Sequence, residues 1–233
     1  EVMGRAAGWI AAGTVLAKRE PEDPPHIILL PEIPFEEEKF IVKVQETVEQ
    51  HGCCVVVVGE GLKDAEGNEI GVDKTKLDSF GHPVLDGAAE RLADMVEPAL
   101  NLKTRTVKLG YAQRSAAHYA SKTDVEEAFI CGEKAVKVAV EGQSGFMVKI
   151  VRESDEPYKW STGLQPLGDI ANLERLIPRD WISGDGFLPN EKFATYAKPL
   201  IQGELHLPTE DGLPVFARLK KIKIEKQLPP REL

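Results

Sequence analysis

Residues 53–58 read CCVVVV, and residues 26–30 read HIILL. An unbroken run of β-branched and small apolar residues is the pattern of a strand buried on both faces, as in a parallel sheet. Between the two runs, Phe35 to Gln50 carries Phe40, Val44 and Val48 at helical spacing. Glu36 to Glu38 lie in the first turn, where the helix dipole favours acids, and Gly52 is a natural C-cap. Ahead of both runs, Gly4 to Lys18 is alanine-rich and apolar on most faces, so it reads as a buried helix. The order helix, strand, helix, strand predicts an α/β fold with crossover connections.

Working outward, Glu20 to Pro25 is an acidic, proline-rich loop. Gly61 to Pro83 reads as a long polar loop with a turn at Gly67-Asn68. Val84 to Asn101 returns to helical spacing, and Arg105 to Tyr111 (RTVKLGY) reads as a strand. Asp124 to Glu141 is a second long helix, with Ser121 or Thr123 as its cap. Gly145 to Arg152 is a strand, and Leu173 to Ile182 has weak helical character. Tyr196 to Leu233 is proline-rich and irregular. No internal repeat or low-complexity segment interrupts the chain. The expected organisation is one α/β portion over 1–192 and an irregular extension over 193–233.

Composition narrows the function. The chain has 233 residues, 42% hydrophobic and 29% charged, with a formal net charge of -9. An acidic chain repels phosphate backbones, so nucleic acid is not the expected partner. No apolar run is long enough to span a membrane. Three cysteines, two of them adjacent in an apolar run, argue for a reducing compartment, the cytoplasm, rather than a disulfide framework. Cys53 and Cys54 read as inert core thiols. His51, His82 and His118 lack metal-ligand spacing with any cysteine, so no metal site is expected. Trp9 and Trp160 read as packing residues. Glu1 opens directly into a dense motif, which reads as a fragment or a truncated gene.

Three constellations carry chemistry. Met3-Gly4-Arg5 head the first helix, where unpaired N–H groups and the dipole suit an anion. A plain helix start with a solvated arginine explains them as well, and spacing alone favours it. Glu60 follows CCVVVV, and ligands of open parallel sheets sit outside the carboxyl ends of strands. It serves a sugar hydroxyl or caps a neighbouring turn. Arg105, Tyr111 and Arg114 surround one expected strand end, where two guanidinium groups and a phenol suit a phosphate monoester. Surface ion pairing is the alternative.

In series, these pieces resemble the 6-phosphofructokinase family. The stretches are EVMGRAAGWIA, LLPEIPF, VVVVGEG, FGHPVLDGAAERLADMVE, KTRTVKLGYAQR and DVEEAFICGEKAVKVAVEGQSGFMV. Each is weak alone, and their co-linear order is specific. The likeness covers nearly the whole chain, more loosely after Lys192. QRSAAHYASKTDVEEA, GDIAN, PRDWI and YAKPLIQGE resemble the pyrophosphate-using branch more than the ATP-using one.

The resemblance implies a Rossmann-like three-layer α/β fold with a mainly parallel sheet and its N-terminal part missing. It implies phosphoryl transfer from pyrophosphate or ATP to the 1-hydroxyl of fructose 6-phosphate, assisted by Mg²⁺. By the same resemblance, Met3, Gly4 and Arg5 line the sugar-phosphate pocket and Glu60 takes ring hydroxyls. Tyr111, where many members have a histidine, and Arg114 bind the substrate. Arg105 matches an arginine that reaches a neighbouring subunit's site, which implies a homo-oligomer with shared sites. Many members follow Gln-Arg with two glycines, whereas Ser115-Ala116 stand here. The family's glycine-rich donor loop and catalytic aspartate have no match in the chain, so no catalytic residue and no Mg²⁺ ligand is assigned. The alternative to an enzyme portion is a non-catalytic subunit that binds the sugar phosphate and pairs with a catalytic chain.

Overall fold

The computed structural model describes residues 1–77, 83–85, 87–223 and 225. At its centre β1 (Ile27–Leu29) and β2 (Val56–Val58) pair in parallel, in the register Ile27↔Val56 to Leu29↔Val58. Helix α2 (Glu37–His51) joins them. It ends where expected: Gly52 has φ 76 and its N–H donates to Val48 O at 2.8 Å. A left-handed φ costs a glycine nothing, and so the chain turns into β2 there.

Alternation along β1 builds two cores. Ile27 and Leu29 join Phe40 and Val44 of α2 and Leu92 and Val96 of α3 (Ala88–Leu100). Ile28 and Leu30 join Ala11 and Ala12 of α1 (Trp9–Gly13) and Phe193 of α6 (Glu191–Ala197). Ile27 and Ile28 are fully buried on opposite faces. Each such side chain contributes about 1.5–3 kcal/mol through burial.

The buried-strand reading holds for β1 and not for β2. Of 53–58 only Val58 is buried, Cys53 is exposed, and Val55 is 43% exposed. The strand is also shorter than the apolar run. Among the described residues its second edge carries the bridge Val2↔Gly59, and its valines are covered less than the residues of β1. Cys54 is half-buried, and burial pushes its thiol up to about 11, which keeps it protonated.

Other expectations shift. The first helix begins at Trp9 rather than Gly4, and continues only as a 3₁₀ turn, Thr14–Ala17. Within the stretch read as the loop 61–83, residues Val72–Leu77 form β3, antiparallel to β4 (Pro83–Leu85). That β4 contains Val84, so α3 starts at Ala88. The turn at Gly67-Asn68 is present, and Asp64 holds it by accepting the N–H groups of Glu66 and Asn68. Residues 105–111 are not a strand but exposed coil leading into α4 (Ala112–Ser115). His82 lies outside the described residues.

Helix α5 (Lys122–Val140) is capped by Ser121, whose hydroxyl accepts the N–H of Asp124 at 3.1 Å. It packs on a hairpin, β5 (Phe146–Asp155) with β6 (Tyr158–Pro166). Arg152 ties the hairpin to α6. Its guanidinium lies 4.9 Å and 4.7 Å from the Tyr158 and Tyr196 ring centroids and donates to Tyr196 O at 2.6 Å. Trp9 packs against Trp181, Phe193 and Tyr196, which closes the second core. The run 173–182 holds only a 3₁₀ turn, Arg179–Trp181. The expected irregular tail from Tyr196 includes the end of α6 and a short ladder of β7 (Thr209–Glu210) with β8 (Leu213–Pro214).

Among the described residues the sheets are therefore four two-stranded pairs, one parallel and three antiparallel. A mainly parallel sheet is not assembled within them. Parallel pairing beyond β1–β2 is limited to the bridges Val2↔Gly59 and Phe35↔Asp64.

Candidate functional site

The carboxyl end of β2 is where the chain crowds. Val2 N–H donates to Val58 O at 3.0 Å, and Glu60 N–H donates to Val2 O at 3.2 Å. This bridge lays Met3-Gly4 over the strand end. Gly4 has φ 137, a conformation that L side chains rarely adopt, and its N–H donates to Glu60 Oε1 at 3.4 Å. Gly61 then lies against the backbone of Arg5. A Cβ there would stand 1.4 Å from Arg5 O, so no side chain fits without moving the backbone.

A second contact recruits α4. Met3 N–H donates to Gln113 Oε1 at 3.2 Å, and Arg114 follows on the same short helix. Tyr111 directly precedes α4 and is 78% exposed. The structure thus joins Met3, Gly4 and Glu60 directly and brings the Tyr111–Arg114 segment to them through Gln113. The side chains of Arg5 and Arg114 are exposed. Arg105 is placed elsewhere: it lines an apolar cavity beside β2 that none of the other six residues lines.

The head of α1 is not an open anion site. The Glu32 carboxylate accepts the N–H of Gly8 at 2.9 Å and that of Ile177 at 3.0 Å. The protein's own acid fills the position that an anion would take. Met3-Gly4-Arg5 precede the helix and hold the strand end instead.

Gln113, Gly61 and Glu32 were not singled out in the sequence, although each lies inside a quoted motif. Gly61 alone left a local signal, a second glycine directly after the acid. Gln113 and Glu32 act on residues far away in the chain, which local spacing cannot show.

Chemically, the cluster offers a half-buried carboxylate to accept hydroxyl hydrogens, with exposed guanidinium groups and a phenol nearby. That set suits a polyol carrying an anionic group. Among the described residues, no group of three His, Cys, Asp or Glu side chains comes together to hold a metal ion. No helix among them is long and apolar enough to cross a membrane.

A family model described as phosphofructokinase matches residues 1–139. The pyrophosphate–fructose 6-phosphate 1-phosphotransferase of Halomonas elongata is 46% identical over 233 residues, 100% of this chain and 55% of its own. Its counterpart in Xanthomonas campestris pv. campestris is 43% identical, again over 100% of this chain and 56% of its own. Among solved structures, the pyrophosphate-dependent phosphofructokinase of Marinobacter aquaeolei aligns with a TM-score of 0.83 at 41% identity, covering 98% of this chain and 53% of that one. The chain spans about half the length of the curated relatives it matches.

Proposed function

The chain belongs to the phosphofructokinase family, and from that premise we propose that it supplies the fructose 6-phosphate site of a pyrophosphate-dependent 6-phosphofructokinase. One observation carries the reading: the Glu60 carboxylate, the Gly4 amide and the Gln113–Arg114 helix meet at the carboxyl end of β2. The relatives named above support pyrophosphate over ATP as donor.

In this reading Arg5 and Arg114 neutralise the 6-phosphate, Tyr111 donates to it, and Glu60 fixes the ring through its hydroxyls. Met3 and Gly4 line the pocket, and Arg105 serves the site of a neighbouring copy. The chain's contribution to phosphoryl transfer is then positioning, which lowers the barrier without covalent chemistry. No Mg²⁺ ligand is assigned among the described residues, and no step is assigned to the ion. The 1–192 portion holds the site and 193–233 extend it. The three-layer, mainly parallel sheet belongs to the complete enzyme, which works as a cytoplasmic homo-oligomer.

Calorimetry with fructose 6-phosphate on the 233-residue chain tests this. Binding is expected, and Arg114→Ala is expected to weaken it by about 1.5–3 kcal/mol, the scale of a charge-assisted hydrogen bond. Absence of binding by the unaltered chain, or an unchanged affinity in the variant, overturns the assignment.

A further inference from the structure

The carboxyl ends of β1 and β2 each lead into a glutamate, and the two acids hold opposite ends of one loop. Glu60 Oε1 accepts the N–H of Gly4 at 3.4 Å. Glu32 accepts the N–H of Gly8, at 2.9 Å to Oε1 and 3.2 Å to Oε2. Between them lie Arg5, Ala6 and Ala7. The Glu60 bond is longer than an ordinary N–H···O bond, so Glu32 is the firmer hold. That hold is rooted in the second core. Glu32 Oε1 also accepts the N–H of Ile177 at 3.0 Å, and Ile177 is 3% exposed in one cluster with Ile28 and Leu30. Trp9 Nε1 donates to Arg175 O at 2.7 Å, a second tie between the same segment and the head of α1. The turn that presents Glu32 is itself closed, because Ile33 N–H donates to Leu30 O at 3.0 Å. Gly8 has φ -85, which any residue adopts. Glycine serves closeness there, since a Cβ would stand 2.7 Å from Leu30 Cδ2 and 2.8 Å from Glu32 Oε2.

We propose that Glu32 is a positioning residue of the candidate site: it pins the loop 4–8 to the second core and so sets where Gly4 and Arg5 stand over the end of β2. The inference rests on the sugar-phosphate reading and deepens it. Glu32 acts through the loop and not on a ligand, since each of its oxygens already accepts a backbone N–H. Glu60 is placed the other way round, with one long bond to the loop and its carboxylate at the site. The turn after β1 touches the loop near Gly4 as well. A Cβ at Gly59 would meet Gly4 O at 3.3 Å and the Pro31 ring at 3.8 Å, so these three pieces leave no room for a shift. A loop held at only its Glu60 end would let Arg5 wander, and a misplaced guanidinium loses the geometry of a charge-assisted bond. The decisive feature is the reach of one oxygen rather than the charge. Oε1 makes both short bonds, to Gly8 and Ile177. A glutamine carries an oxygen of the same reach, whereas an aspartate keeps the charge and is one methylene too short.

The test places Glu32→Asp and Glu32→Gln in the full 233-residue chain. Each variant is read by calorimetry with fructose 6-phosphate and by amide hydrogen exchange. Glu32→Asp is expected to weaken fructose 6-phosphate binding about fivefold, the scale of one hydrogen bond. It should also speed exchange about fivefold or more at Met3 and Gly4, whose N–H groups bond to Gln113 and Glu60 and not to Glu32. Exchange within α5 should match the unaltered chain, which separates release of the loop from general destabilisation. Glu32→Gln should keep both readouts within about twofold of the unaltered chain. Unchanged exchange at Met3 and Gly4 in the aspartate variant overturns the proposal. So does affinity retained while the loop is released, and so does a glutamine variant as impaired as the aspartate one. If the unaltered chain binds no fructose 6-phosphate, the sugar-phosphate reading falls, and the exchange measurement alone then decides whether Glu32 positions the loop.

Discussion

β1 and β2 are both short apolar strands in the same parallel pair, yet they sit in different environments. Every residue of β1 is buried, with its side chains divided between two cores. In β2 only Val58 is buried, and the adjoining valine at 55 stands nearly half in solvent. Sequence hydrophobicity does not separate them, since CCVVVV is as apolar as HIILL. The difference is the second neighbour. β1 has helices on both faces and Phe187 O accepting the N–H of Ile28 at 2.7 Å on its other edge. Among the described residues, β2 carries on its other edge the bridge Val2↔Gly59. Burial is thus a property of what surrounds a strand, and mutations should weigh the two unequally.

The largest effect is expected in β1. Ile28→Ala removes a fully buried side chain between α1 and α6, and should cost about 2–5 kcal/mol of stability, read by urea denaturation. A cost below about 1 kcal/mol would mean that the second core is loosely packed and that β1 is no better held than β2.

Next comes the strand end where the site is built. Gly61→Ala places a methyl group on Arg5 O, and backbone rather than a flexible side chain must yield. A cost of about 1–3 kcal/mol is expected. Because Met3 to Arg5 must shift to relieve it, fructose 6-phosphate affinity should fall as well. Stability lost with affinity retained would detach the site from this contact.

The residues reveal much of the β1 side and less of the β2 side, for a physical reason. α2, its Gly52 cap, β1, and the Ser121 cap of α5 rest on local spacing or local backbone preference, which a sequence displays. β3 was hidden because VDKTKL has four consecutive polar residues between Val72 and Leu77, with no strand periodicity, inside a polar stretch. The partner strand β6 was hidden because its pairing is set by register with β5, not by its own run. RTVKLGY carries strand propensity, but among the described residues it joins no β-ladder, so it stays coil. At the candidate site the residue types were legible, as was the order of Met3, Gly4, Glu60 and Arg114. That Gln113 ties two of these motifs together, and that Glu32 fills the helix head, depends on contacts across more than 20 positions.

A smaller effect depends on pH and acts on the pairing of β1 with β2. His26 Nδ1 accepts the N–H of Val55 at 3.0 Å, and the ring stacks on His51 with centroids 5.2 Å apart. Burial, followed by the nearby Lys18 and His51, lowers the His26 pKa below its ordinary 6.5. The folded state therefore resists a proton that the unfolded chain accepts. Stability is full above about pH 6.5 and is lost as pH falls through the lowered value. His26→Asn keeps an acceptor for Val55 and removes the titration. Its melting temperature should therefore fall less between pH 7 and pH 5 than that of the unaltered chain. Parallel curves would place the acid sensitivity elsewhere.

The smallest effect is expected beside β2, at Val55. Val55→Thr keeps the β-branched shape and adds a hydroxyl at a position 43% exposed, so water can satisfy it. In the chain alone the cost should stay within about 0.5 kcal/mol, as for surface substitutions in general. The same change at a buried β1 position would strand a hydroxyl in an apolar core. A cost above about 1 kcal/mol would mean that β2 is covered in solution. The contrast between the two strands would then be one of partners already in place, not of an edge left open.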